Sequence, residues 1–109
     1  MSNSFNTERR HKEMCEYIHN DLWLPKNAAY GDSFHKLYDD LGIISAVTQI
    51  THKYNRLKNL ALDMSRGNLK AGDESINESI QDTLLDMANY CIMTAMEIER
   101  AEQGCLEHQ

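Results

Sequence analysis

Residues 75–98 read SINESIQDTLLDMANYCIMTAMEI, and the spacing within this stretch decides the fold class. Apolar residues recur at intervals of three and four, with none of the alternation of a half-buried strand, so the pattern predicts a helix. Ser75 and Glu78 stand at capping-box separation, with Ser75 to cap the Glu78 amide and Glu78 to reach back to the Ser75 amide. The helix is expected to run on to about Glu102. From Leu84 to Ile98 apolar side chains lie nearly all round it, the mark of a central, buried helix.

The same periodicity extends outward. A first helix is predicted from Thr7 to about Leu22, with Met14, Tyr17, Ile18 and Leu22 on one apolar stripe. Pro25 is expected to end regular structure, leaving Asn27 to Gly31 as a loop that delivers Tyr30 and Asp32 to the next helix start. The second helix takes Asp32 or Ser33 as N-cap and runs to about Met64, with a bend or break at Gly42. Residues 66–73 (RGNLKAGD) form a turn-rich connection in which Gly67 and Gly72 mark helix stop and restart, and the tail 104–109 reads as frayed. The expected architecture is therefore an all-α bundle of three to four helices in a single domain over residues 1–109.

A chain of 109 residues has room for one core. At that size a helical chain buries only roughly 60–65% of its unfolded surface, which favours completion of the bundle by homodimerisation. The net charge is −6, from 17 acids against 11 bases spread along the chain, so duplex nucleic acid is disfavoured as a partner. Cys15, Cys91 and Cys105 show neither CxxC nor zinc spacing and read as reduced thiols. No apolar run approaches the roughly 18–20 residues of a membrane span, so no membrane partner is expected and the chain is read as cytoplasmic. No Gly-rich phosphate loop, nucleophile elbow or Cys/His catalytic arrangement is present.

The sharpest chemical feature is Glu78, Asp82, Asp86 and Asn89, spaced four, four and three. On a helix they share a strip roughly 60–80° wide. Acids at that spacing repel one another, so something cationic should face them. Mg²⁺ or Mn²⁺ with open positions for phosphates is one answer, and Lys or Arg from the second helix is the other. On the second helix His35, Asp39, Lys53 and Arg56 fall near one face if the helix is regular. There Asp39 and Asp40 are placed to complete a carboxylate cluster, and Lys53 and Arg56 to neutralise phosphates. The plainer reading leaves Lys53, Arg56 and Lys58 on a solvated flank and His52 as an ordinary surface residue.

Three ordered motifs carry a resemblance: Tyr30-Gly-Asp-Ser-Phe34 leading to Asp39-Asp40-Leu-Gly42; His52-Lys53-x-Asn55-Arg56-Leu57; and Asp73-Glu74-Ser75 leading to Asp82-Thr-Leu-Leu-Asp86-Met-Ala-Asn89-Tyr90. Over about residues 30–98 the chain resembles the phage- and bacteria-borne nucleotide-modification-associated domains of the first type. That family looks like a remote branch of the MazG-like all-α nucleoside triphosphate pyrophosphohydrolases, helical dimers or tetramers that hold Mg²⁺ with acids from two helices.

The resemblance implies metal-dependent cleavage of an ordinary or modified deoxynucleoside triphosphate to monophosphate and pyrophosphate. Glu78, Asp82 and Asp86 would be the acids of the later helix, and Asp39 or Asp40 those of the earlier one. Asn89 and Tyr90 would line the nucleotide pocket with Tyr30 and Asp32 nearby, and Lys53 and Arg56 would meet phosphates. The earlier helix offers only Asp39-Asp40 where MazG-like enzymes show EExxE, so a nucleotide-binding or sequestering protein without hydrolysis is the alternative.

Overall fold

The structure is a computed structural model that describes residues 4–68 and 73–107, with side chains described as far as Gly104. The described residues are helical almost throughout, with no strand: α1 (Thr7–Tyr17), a π-helical turn (Ile18–Trp23), α2 (Leu24–Tyr30), α3 (Ser33–Leu41), α4 (Ile43–Ser65) and α5 (Glu74–Glu107). The all-α reading holds. The expected restart at Gly72 lies outside the described residues.

Asn6 caps α1, its Oδ1 accepting from the Arg9 amide at 2.9 Å. Contrary to expectation, Pro25 does not end the helix, and Asn27 to Tyr30 is helical instead of a loop. The chain widens to a π turn, in which the Leu24 amide bonds the His19 carbonyl five residues back, and Pro25 then sits in the first turn of α2. Proline is tolerated there because it lacks only an N–H, and the wider register spares the clash that a helix-interior proline would cause. The stop comes at Gly31, at φ 61.

Gly42 divides the expected second helix. At φ 77 and ψ −168 it occupies a region that residues with a Cβ avoid, so α3 and α4 are separate helices meeting at a corner. Ser45 closes that corner, its Oγ donating to the Gly42 carbonyl at 2.8 Å. The cap of α5 is also not the one expected. Asp73 Oδ1, not Ser75 Oγ, accepts from the Ser75 amide (2.9 Å) and the Ile76 amide (3.4 Å), so the cap lies two residues earlier and Glu78 has no capping role.

The long pair α4 and α5 forms the spine of the molecule, with the π turn packed on α5 and α3 on α4. The buried face is mainly polar: Ser45 and Ala46 on α4, and Thr83, Asn89, Thr94 and Glu97 on α5. Thr83 and Thr94 satisfy their hydroxyls on carbonyls one turn back. α5 is therefore not buried all round as its composition suggests, since Leu84, Ile92, Met96 and Ile98 remain exposed. Its polar side faces α4 and much of its apolar surface faces outward.

Candidate functional site

The strip on α5 is straight, but α5 passes different neighbours along its length. Its four residues therefore meet three environments. Glu78 and Asp82 are exposed and line a groove against α1 and the π turn, where Arg10, Glu16 and Asp21 face them. Asp86, one turn on, faces α4 and pairs with Lys53 (Nζ to Oδ2, 3.3 Å). Arg56, almost one turn beyond Lys53 on α4, donates from Nε to Thr83 Oγ1 at 3.3 Å. Lys53 and Arg56 are thus turned toward α5, where Asp86, unlike Glu78 and Asp82, meets a cationic partner from α4 among the described residues.

Asp39 and Asp40 are exposed on α3, and the break at Gly42 turns that helix out of line with Lys53 and Arg56. Among the described residues no group of three or more His, Cys, Asp or Glu side chains lies close enough to hold a metal ion. Asp39 and Asp40 are accordingly not gathered with Glu78, Asp82 and Asp86. Of the residues weighed beside them, His52 and Lys58 are exposed.

A second assembly lies farther along α5. An open cleft of about 570 Å³ separates α5 from the segment running from the π turn into α3. It brings together Tyr30, Asp32, Asn89 and Tyr90, the four residues assigned to nucleotide contact by resemblance, and adds Trp23 and Gln49. The π turn stacks Trp23 on His19 with ring centroids 5.5 Å apart. Phe34, in the first turn of α3, lies tilted against Tyr90 at 6.0 Å. Gln49 is one turn before Lys53 on α4, so the floor of the cleft continues along the same face toward the Lys53–Asp86 pair.

Two buried polar groups mark this cleft. Asn89 is 5% exposed and its Oδ1 has no hydrogen-bond partner among the described residues. A buried acceptor left unpaired costs about 1–3 kcal/mol, so the position favours a donor that none of the described residues supplies. Glu97, also 5% exposed, meets His35 Nδ1 at 2.6 Å and lies 3.5 Å from Arg100 Nη1. Trp23, Gln49 and the His35–Glu97 pair were not singled out in the sequence. Glu97 carried a usable signal, an acid interrupting the apolar run from Leu84 to Ile98. His35 was noted only for its helical face, and its partner lies 62 residues away.

The nucleotide modification associated domain 1 family matches residues 26–98, which include the cleft from Lys26 to Glu97 and the whole Lys53–Asp86 contact. The chain belongs to this family. Neither a curated protein nor a solved structure matches the chain. The family segment begins just after Trp23, so the aromatic residue contributed by the π turn lies outside it.

Proposed function

We propose that this protein binds an ordinary or base-modified deoxynucleoside triphosphate, with the nucleoside in the cleft between α2–α3 and α5 and the phosphates directed toward Lys53 and Arg56. The observation that carries this reading is the buried, unpartnered Asn89 Oδ1 in a cleft lined by Trp23, Tyr30, Phe34 and Tyr90. Aromatic faces take a planar base, and a few convergent polar groups fix its orientation. The volume, about 570 Å³, lies in the range of small-ligand sites. Lys53 and Arg56 supply positive charge beside the cleft in a chain that is acidic overall.

Hydrolysis to monophosphate and pyrophosphate is the second reading, favoured by Asp86 beside Lys53 with the exposed acids Asp82 and Glu78 one and two turns away. The donor set fits Mg²⁺ or Mn²⁺ only as a cation shared with substrate phosphates, since one or two carboxylates plus phosphate oxygens and water suffice for Mg²⁺. Such a cation would neutralise charge on the phosphates and activate water. Lys53 would then exchange its bond to Asp86 for a phosphate oxygen.

The protein works as a homodimer or a homotetramer built from such dimers. Its surface of 8311 Å² exceeds by about 2000 Å² that of a compact monomer of its 12.6 kDa mass, close to what one subunit of a stable dimer has available to bury. Ile44, Val47 and Tyr54 of α4 are among the exposed apolar residues a second copy would cover. The setting we propose is the cytoplasm of a bacterium, with the gene carried by the cell or by a phage.

The test is incubation with Mg²⁺ or Mn²⁺ and a panel of ordinary and modified deoxynucleoside triphosphates, with chromatography of the products and calorimetry of binding. Binding without monophosphate supports the first reading. Metal-dependent monophosphate formation, abolished in Asp86→Asn while the helical circular dichroism persists, supports the second. Absence of both binding and product refutes the two together.

A further inference from the structure

His35 and Glu97 are the part of the cleft that the phosphate and metal arguments leave unused. Glu97 is an ionisable group with a 6% exposed side chain in a molecule whose interior is thin, and holding it there carries a desolvation cost. A surface ion pair would tie α3 to α5 without that cost. The bond from His35 Nδ1 to Glu97 Oε2 is short, 2.6 Å, and it leaves Nε2 as the ring nitrogen with no protein partner among the described residues. The side chain of His35 is 32% exposed and lines the cleft. One nitrogen is fixed and the other is presented.

Position along α5 says which end of a ligand would meet it. From Asp86 to Glu97 is eleven residues, about 16 Å of helix. Lys53 and Arg56 stand at the near end, facing Asp86 and Thr83. At the far end Glu97 is an acid, and Arg100 is already drawn to it. Each end has a cation paired with an acid, but at the near end Arg56 meets only the Thr83 hydroxyl and has no acid partner among the described residues, so phosphates are favoured there. The planar part of an extended ligand falls among Phe34, Tyr90 and Met93, with its polar edge toward His35.

Resting on the nucleotide reading above, we infer that His35, held in register by Glu97, is the group that reads the base: Nε2 hydrogen-bonds the edge of the nucleobase, and Glu97 acts as a positioning residue. Asn89, between the two ends, completes the recognition from the same face of α5.

The experiment is calorimetric titration of dATP, dCTP, dGTP and dTTP into the full chain and three variants. His35→Phe keeps the ring and removes both nitrogens. His35→Phe combined with Glu97→Gln also removes the carboxylate charge that the first variant leaves buried, which protects folding. Lys53→Ala probes the phosphate end.

The wild-type protein is expected to rank the four triphosphates. The His35 variants should compress that ranking by roughly threefold to tenfold, the value of one hydrogen bond. Lys53→Ala should weaken all four alike and leave their ratios intact. A purely structural role for His35 moves melting temperature but not the ratios. A folded His35 variant with the wild-type ranking, or a wild-type protein that binds all four equally, overturns the inference while leaving nucleotide binding in place. Failure of the wild-type chain to bind any of the four, or any modified deoxynucleoside triphosphate of the wider panel, overturns the nucleotide reading itself.

Discussion

Asn89 and Asp73 show what individual residues contribute. The Asn89 Oδ1, buried without a partner, lowers the stability of the free protein at a position lining the cleft. Asn89→Leu, with the same branching, no polar atoms and somewhat more bulk, should leave the melting temperature close to that of the wild type, because loss of the unpaired acceptor offsets the tighter packing, while weakening triphosphate binding at least several-fold. Thermal melts beside calorimetry check both halves, and a large loss of stability would mean that the amide is already satisfied. Asp73 is held below the usual aspartate pKa by the Ser75 hydroxyl, then the Ser75 and Ile76 amides. Because its folded value is depressed, its contribution is present above the ordinary aspartate range and is lost as pH falls through the lower folded value. Asp73→Ala should therefore lower the melting temperature at neutral pH and make no difference once the carboxyl is protonated in both states, as melts from pH 7 to pH 2 will show. At this scale Asn89 and Tyr90 were legible through the motif that contains them. The His35–Glu97 bond was not, because spacing along one helix carries no information about a partner 62 residues away.

Among the elements, α5 was the most legible and its surroundings the least. The four–four–three spacing does put Glu78, Asp82, Asp86 and Asn89 on one strip, but α1, α4 and α3 meet that strip in turn, so one face does not make one site. The first two helices went differently for local reasons. Pro25 predicts a terminator because a regular helix cannot carry it beyond the first turn, yet the π turn from Ile18 to Trp23 restarts the helix register just before it. The break expected at Gly42 is present, and it shapes the cleft: without it α3 would run in line with α4 and His35 would not share a cleft with Glu97. Gly42→Ala meets no atom within 4 Å, so its cost is backbone strain alone. It should destabilise by about 1–3 kcal/mol, read from urea unfolding, and should weaken nucleotide binding beyond that by tilting α3. Strain confined to the corner would instead leave affinity unchanged.

At the level of the whole molecule, the polar face of α5 is turned inward and much of its apolar surface outward, which a helix-wheel reading takes for complete burial. The radius of gyration, 17.4 Å, exceeds the about 13 Å of a compact domain of this length. The chain is long and thin, with extents of 59 × 34 × 24 Å. Val47→Glu, on the exposed side of α4, should shift sedimentation from dimer to monomer and lower the melting temperature, whereas an unchanged sedimentation profile would locate any interface elsewhere. No helix of the described residues is long and apolar enough to cross a membrane. A nucleoside in the cleft between α2–α3 and α5 would be reported by the single tryptophan, Trp23, which lines that cleft. Titrating deoxynucleoside triphosphates and following Trp23 emission should give saturable quenching that keeps its amplitude when phosphate contacts are weakened in Arg56→Ala and needs at least several-fold more nucleotide in Asn89→Leu. Unchanged Trp23 emission alongside calorimetrically detected nucleotide binding would place the nucleoside elsewhere and contradict the account.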